Sequence, residues 1–490
     1  MILQTLNVHC SHDFTDAQRA LFDQRVQAQL CEVKHEISRD CYNRDEVSLG
    51  AELEFYLVNR QFNPAPIVEA VLDKARIEGL QEELNQYNLE FNLKPVNATG
   101  TPFSQLQQQL DKASRVVDQT ASLFDGQAMA IGILPTLTGS HLTADYLTNR
   151  PRYKALTQEL SEQSGGPFDI DIHGQDAVRT SCDDVTLEGA NTSFQLHHRM
   201  AHSRFTDCYN AAQLISPLVL ALAGNSPFFM GKRLWQETRI ALFKQAIDYR
   251  DTQAGKWRQP ARVSYGQGWL RNGITDCLTE SVALYPAVLP VISERLNGPS
   301  KPFAELNLHH GTVWSWNRAV FEPGENGHVR IEYRSLPAGP TNQDMLANAA
   351  LQIGLVEALS DHIEEYLQRL PFRYTEYNFY RCAQSGLNAQ VLWPQKHQHQ
   401  LKEYKVTAIL SDLIGKADDG LAKIGVSREE RDNYLGIIEH RLAARQTGAM
   451  WQLNTYKTLM SQYPESKVLG ELCRRYYQLS HSGEPVAYWE

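Results

Sequence analysis

Five segments of this chain alternate apolar and polar residues so strictly that they restrict the fold to one containing an antiparallel sheet. Successive side chains of a strand point to opposite faces, so each segment has two sides of different character. GAELEFYLV (50–58) sets Leu53, Phe55 and Leu57 against Glu52 and Glu54. NLEFNL (88–93) sets Leu89, Phe91 and Leu93 against Asn88, Glu90 and Asn92. TSFQLHH (192–198) sets Phe194 and Leu196 against Ser193, Gln195 and His197. AELNLHHG (304–311) sets Leu306 and Leu308 against Glu305, Asn307 and His309. HVRIEYRS (328–335) sets Val329, Ile331 and Tyr333 against Arg330, Glu332 and Arg334. All five are read as strands.

Taken singly, each polar side reads as the solvated face of an antiparallel sheet. Taken together they do not, because these positions carry no lysine and favour carboxylates, amides, imidazole and guanidinium. Those groups hold hard cations and phosphates. Two carboxylates about 7 Å apart on one strand face repel each other, and a divalent cation near both relieves the repulsion. Glu52, Glu54, Glu90 and Glu332 are therefore candidate oxygen ligands for Mg²⁺ or Mn²⁺, with His197 a candidate nitrogen ligand. Mg²⁺ shared with substrate phosphates belongs to phosphoryl transfer. Of Arg330 and Arg334, the one nearer the metals is expected to neutralise a transferring phosphoryl group.

The rest of the chain narrows the setting. Its 490 residues suffice for one large domain with appendages, or for two domains. A net charge of −10 disfavours nucleic acid or an anionic membrane as the main partner, but not a nucleotide. The eight cysteines show no CxxC pair, which argues against a structural zinc site and for reduced thiols. MILQTLNVHCSHDF is no signal peptide, and LISPLVLALAG (214–224) is too short to cross a bilayer and reads as a buried helix. A cytoplasmic protein with no membrane contact is expected.

Helices are predicted over 15–38, starting near Thr15 or Asp16, and over 104–124, and a buried strand over 129–137. After residue 340 the chain reads as mainly helical. Thr341 and Asp344, and again Ser427 and Glu430, have the spacing of helix N-terminal capping boxes. Strands and helices do not alternate as in a doubly wound sheet. The class is α+β, an antiparallel sheet with flanking helices and a mainly helical C-terminal part.

With these residues in view, the chain resembles the glutamate–cysteine ligase family, in its bacterial carboxylate–amine ligase branch. The resemblance rests on GAELEFYLV, YNLEFNLKP, TSFQLHH, LALAGNSPFFMGK followed by ETRIALF, RVSYGQGW, HHGTVWSWNR and RIEYRSLPAGPT, in that order over roughly 45–360. It implies a glutamine synthetase-like sheet and an ATP- and Mg²⁺-dependent ligase. Such an enzyme phosphorylates a carboxylate, classically the γ-carboxylate of glutamate, and an amine such as cysteine then displaces the phosphate. It implies metal-binding roles for Glu52, Glu54, Glu90 and Glu332, a phosphate-facing Arg334, and a nucleotide and metal site lined by Gln195 and His197. Arg239 and Arg262 match arginines near the substrate, and Asn92 and His309 are further substrate-binding candidates. Pro337 stands where many relatives carry an acidic residue. The division that follows is an N-terminal helical segment (1–40), a catalytic α+β domain (41–340) and a helical region packed on it (341–490).

Phosphoryl transfer needs positioning and charge neutralisation rather than a covalent nucleophile, so no Ser–His–Asp set is required, nor a catalytic role for Cys182 or Cys277. An acyl phosphate has to be kept from water, and 171–185 and 249–260 are candidate covering loops. Trp314, Trp316 and Asn317 read either as core or as an adenine or substrate wall, and His310 as a structural histidine. Two other functions stay open: a metal-dependent hydrolase, although no HExxH motif is present, and a nucleotide-binding regulatory protein without turnover. The C-terminal helices read as packing or as the surface of a homo-oligomer.

Overall fold

The computed structural model describes residues 14–250, 259–292, 302–395 and 400–490. Its centre is an antiparallel sheet built on the long strand β1 (Ser48–Asn59). The other strands of that sheet are β2 (Leu80–Glu82), β3 (Asn88–Asn92), β4 (Val96–Asn97), β5 (Gly126–Met129), β8 (Phe194–Met200), β11 (Asn317–Glu322) and β12 (His328–Tyr333). The order is β11-β12-β8-β1-β3-β2, with β4 and β5 also pairing with β1. Separate two-stranded pieces are β6 (Phe168–His173) with β7 (Ala177–Cys182), β9 (Phe228–Phe229) with β10 (Lys232–Arg233), and β13 (Gln390–Trp393) with β14 (Lys402–Lys405).

Four of the five alternating segments are strands of this sheet. The fifth, 304–311, is a helix, which corrects the expectation for Glu305, Asn307 and His309. Unlike the other four it contains no β-branched or aromatic residue, and Ala, Glu and Leu favour helix. All but the first of its residues are buried, so the alternation marks no boundary between core and solvent. The strand expected over 129–137 ends at Met129. Gly132 and Pro135 interrupt it, and the chain beyond runs irregularly with Ile131, Ile133 and Leu134 buried.

The apolar face of the sheet carries Leu53, Phe55, Leu89, Phe91, Phe194, Leu196 and Ile331 into one large core. Helices close that core: α1 (Asp16–Ile37), α3 (Pro102–Ser122), α5 (His202–Ala223), α7 (Ile274–Leu284), α8 (Ala304–Gly311) and α9 (Asn342–Leu359). The remaining helices are α2 (Val68–Lys74), α4 (Pro151–Ser164), α6 (Arg239–Ala246), α10 (Glu364–Leu367), α11 (Phe372–Ser385), α12 (Val406–Lys423), α13 (Arg428–Ala444), α14 (Gly448–Met460) and α15 (Glu465–Ser482). The expected caps are present: Thr15 accepts from Gln18 N, Thr341 from Asp344 N and Ser427 from Glu430 N. α5, with Pro217 inside it, is buried along nearly its whole length. No helix among the described residues is long and apolar enough to cross a membrane.

Helices α12 and α13 join this core, whereas α14 and α15 bury Trp451, Leu459, Leu472 and Tyr476 in a second cluster with Tyr56, Ile131 and Phe228. Asn225, in the loop after α5, donates from Nδ2 to Ala338 O at 2.8 Å and to Tyr476 Oη of α15 at 2.8 Å. Gln452 of α14 donates to Asn225 Oδ1 at 2.9 Å. The AGNSPF loop thus ties two C-terminal helices to the stretch that follows β12.

Candidate active site

The second face of the sheet is polar and yet shut off from water. Glu52, Glu90, Gln195, His197 and Glu332 are all buried, at 6%, 2%, 3%, 9% and 1% exposure. That rules out the solvated-face reading for β1, β3, β8 and β12. Strand register decides which side chains meet. Glu54 lies directly across from Glu90, and Glu52 across from Asn92 on one side and Gln195 on the other. Glu332 lies across from His197 on one side and Arg318 on the other.

The two glutamates of β1 have different partners, which is how two neighbouring carboxylates are tolerated. Glu52 Oε1 lies 3.3 Å from His197 Nε2. Glu54 accepts from Ser193 N at 2.7 Å, Ser193 Oγ at 3.0 Å and Gln195 Nε2 at 2.9 Å. Gln195 then accepts from Arg334 Nη1 at 2.6 Å, and Arg334 also donates to Glu332 Oε1. The other oxygen of Glu332 accepts from Arg318 Nη2 at 2.6 Å. Glu54, Gln195, Arg334, Glu332 and Arg318 therefore form one continuous hydrogen-bonded chain across the sheet.

This chain borders a pocket lined also by Glu83, Asn88, Glu90, Arg152, Glu188 and Arg239, with Phe243, Trp314 and Trp316 among its apolar walls. Its charges are divided. Burial opposes ionisation of Glu52, but the charge and hydrogen bond of His197 bring it down to about 2. Glu332 is held well below the usual carboxylate range against burial, by Arg318 and Arg334. Burial and then the Glu90 charge push Glu54 up to about 7. Burial with the Glu52 charge raises Glu90, burial with the Glu54 charge raises Glu83, and burial pushes Glu188 up to about 7. Glu52 and Glu332 are thus offset by histidine and arginine respectively, and a second group of carboxylates is short of positive charge.

The predicted residues fall unequally. Glu52, Glu54, Glu90, Gln195, Arg239 and Arg334 line the pocket. Glu332 and His197 stand behind it as partners of Arg334 and Glu52. Arg330 points toward β8, donating from Nε to His197 Nδ1 at 3.0 Å, so Arg334 is the arginine on the pocket. Asn92 donates to Glu90 Oε1 at 2.7 Å. Arg239 is anchored by Glu237 Oε1 at 3.2 Å and Ser335 O at 3.2 Å.

Two substrate candidates lie elsewhere. Arg262 is buried between Tyr249 and Tyr285 and donates to Thr312 O and Pro286 O. Its backbone carbonyl accepts from Trp314 N at 2.9 Å, so this segment supports the tryptophan wall. His309, on helix α8, has Nε2 at 2.9 Å from Ser281 O. His310 is likewise at 2.8 Å from Ala319 O, and Asn317 bonds inside the core to Gln213 and Ser216. Burial raises the Cys182 and Cys277 thiols, away from reactive thiolates.

Arg318 was missed by the sequence reading, although a signal existed. The EPGENG turn flanked by NRAVFE and HVRIEY describes a hairpin that sets Arg318 opposite Glu332. Glu83 and Glu188 come from segments without periodicity, and Arg152 from the first turn of α4, where nothing local distinguishes it from a surface arginine. The candidate loop 171–185 is the β6–β7 hairpin, pinned by the Asp176–Arg233 pair at 2.8 Å, and its far end leads into Glu188. Of the other candidate, residues 251–258 lie outside the described residues.

The donor set can be weighed against a divalent cation. Glu52, Glu54 and Glu90 offer oxygens from one face, and the raised carboxyls are those whose ionisation a cation would favour. In chemistry the set fits. Among the described residues, however, no three His, Cys, Asp or Glu side chains are already gathered as a metal cage.

Comparison with known proteins decides the family. The sequence profile of glutamate-cysteine ligase family 2 (GCS2) matches residues 48–458. The chain belongs to glutamate-cysteine ligase family 2. As a member of this family it is an ATP-dependent carboxylate–amine ligase, an enzyme that forms a C–N bond. No curated protein sequence matches it. Its fold is similar to that of glutamate–cysteine ligase from Francisella tularensis, solved in complex with AMP. The TM-score is 0.54 at 13% identity, over 90% of each chain. A bifunctional glutathione synthetase from Pasteurella multocida gives a TM-score of 0.48 at 10% identity, over 92% of this chain and 55% of the other. The family 2 assignment agrees with the resemblance drawn from the motifs, and the α+β class with the observed sheet and helices.

Proposed function

We propose that this ligase phosphorylates the γ-carboxylate of glutamate with ATP and joins the resulting acyl phosphate to the amine of cysteine or another small amine. The observation that carries the reading is Arg334. Its guanidinium is held by Gln195 and Glu332 at the edge of a buried pocket that also contains ionised Glu52. A fixed positive charge in a site shielded from water stabilises charge developing on a transferring phosphoryl group without reorganising. Arg239 places a second charge on the pocket, and Gln195 locks Arg334 to Glu54. Trp314, Trp316 and Phe243 give the pocket an apolar wall that excludes water from an acyl phosphate.

Glu52, Glu54 and Glu90, which line the pocket, are the residues that would hold Mg²⁺ or Mn²⁺, with His197 and Glu332 behind them fixing Glu52 and Arg334. When bound, such an ion supplies charge neutralisation between ATP and the attacking carboxylate. The AMP complex of the Francisella tularensis enzyme supports placing a nucleotide on this fold.

The test is ADP release by the purified protein with Mg²⁺, ATP and glutamate across an amine panel that includes cysteine, with Glu332→Gln as the control. Amine-dependent release that the control lacks supports the reading and names the acceptor. No release with any amine, from protein that binds ATP, overturns glutamate as the acid. Turnover without ATP would point to a hydrolase instead.

A further inference from the structure

Three oxygens in the pocket wall have no hydrogen-bond partner among the described residues: Asn88 Oδ1, Glu188 Oε2 and Asn191 Oδ1. Asn88 is the most telling. It is only 2% exposed, yet neither Oδ1 nor Nδ2 has a partner, so the point holds whichever way its amide is turned. Asn191 is oriented by its own Nδ2, which donates to Leu187 O at 3.2 Å and Glu188 O at 2.9 Å and leaves Oδ1 free to accept.

The residues around these atoms are rigidly placed. Asn85 donates to Thr186 O at 3.0 Å, and Asn85 O accepts from Asn88 N at 2.9 Å, joining the start of β3 to the 185–190 turn. A Cβ at Gly189 would lie 2.3 Å from Asn85 Nδ2, so the turn packs as closely as a glycine allows. Buried polar atoms left unpaired are costly, and a preformed group of them points to a ligand that pairs them.

The chemistry of that ligand follows from the donors and acceptors. A primary ammonium carries three N–H donors, one for each unpaired oxygen, and Glu188 supplies the opposite charge. A bare metal ion suits the subsite poorly, because Asn88 Nδ2 is a donor in the same place. That N–H calls for an oxygen next to the ammonium, as in an α-amino acid.

We propose that Asn88, Glu188 and Asn191 form a subsite for the α-ammonium group of an amino-acid substrate. This rests on the ligase reading above and deepens it. The group belongs either to the activated acid or to the acceptor, and one experiment separates the two. Hydroxylamine, uncharged near neutral pH, intercepts an acyl phosphate as a hydroxamate, so it reports activation of the acid without the natural acceptor. Hydroxamate formation from glutamate and ADP release with the best amine are measured for wild type, Glu188→Gln and Asn88→Ala, with near-UV circular dichroism as a check on folding.

Both variants are expected to raise the KM of one amino-acid substrate about 10- to 100-fold, with the KM for ATP unmoved. A rise for glutamate in the hydroxamate assay assigns the subsite to the acid. An unchanged hydroxamate assay with a raised KM for the amine assigns it to the acceptor. A fall in kcat with every KM unchanged, or an equal rise in all of them, overturns the subsite. Wild-type protein that forms no hydroxamate from glutamate overturns the glutamate reading instead. The subsite is then judged by saturation-transfer NMR with L-2-aminobutyrate against butyrate. Transfer to the aminobutyrate in wild type that is lost in Glu188→Gln supports it. Transfer that is the same in both proteins, or absent from wild type, overturns it.

Discussion

Arg318 on β11 stands directly opposite Glu332 on β12 and donates to its Oε2 at 2.6 Å, while Arg334 holds the other oxygen. Glu332 is thus ionised, buried and fully engaged. Glu332→Gln leaves one oxygen acceptor for two guanidinium groups and removes the negative charge that both face. Breaking a buried pair costs about 3–5 kcal/mol. We expect one cooperative unfolding transition shifted to lower denaturant and, in the folded protein, a kcat lowered about a thousandfold. Loss of cooperative unfolding would show Glu332 to be structural.

Arg334 and Arg262 are predicted to separate function from stability. Arg334 bridges Gln195 and Glu332 with a planar fork that lysine cannot reproduce. Arg334→Lys is expected to lower kcat about 100-fold. Arg262 instead braces backbone carbonyls between two tyrosines. Arg262→Lys should lower the melting temperature and leave kcat and KM of the folded protein close to wild type. Steady-state kinetics and calorimetry on both variants check the contrast.

Acid should weaken the junction of β8 and α9 through Glu357. Burial opposes ionisation of its carboxyl, but the hydrogen bond and charge of His198 and the Arg204 guanidinium bring it down to about 2. A carboxyl depressed in the folded state contributes stability above its unfolded value, about 4.3, and loses it as pH falls through its folded value. The window is therefore roughly pH 4 down to pH 2, and the contribution is on the order of 3 kcal/mol. Urea midpoints between pH 6 and pH 2 should fall more steeply for wild type than for Glu357→Gln.

Helices α9 and α12 meet through glycine. A Cβ at Gly420 would lie 1.9 Å from Gly354 O, so the backbones touch with no space for a methyl group. Gly420→Ala is expected to cost about 3 kcal/mol by forcing the helices apart. Unfolding curves check it, and the kinetics of the folded variant should stay near wild type because neither glycine lines the pocket.

Much of this architecture was legible beforehand. Four alternating segments became strands of one sheet because their Phe, Val, Ile and Tyr residues suit a pleated surface with one face in a core. The caps at Thr15, Thr341 and Ser427 were legible because a cap is a contact between residues three apart. The segment 304–311 was misread because alternation over so few residues is also compatible with a buried helix, and only packing against α1 and α7 decides.

What the sequence by itself determined is which side chains share a face: Glu52 with Glu54, Asn88 with Glu90, Gln195 with His197, and Glu332 with Arg334. That follows from strand geometry within a single segment. Which of them meet was decided only by the tertiary structure. Register between β12 and β8 set Glu332 against His197, and strand order brought Gln195 between Glu54 and Arg334. Glu188 reached the same pocket from a turn with no periodicity at all. Those juxtapositions join residues more than a hundred positions apart, and they depend on the burial of every strand together rather than on the preference of any one.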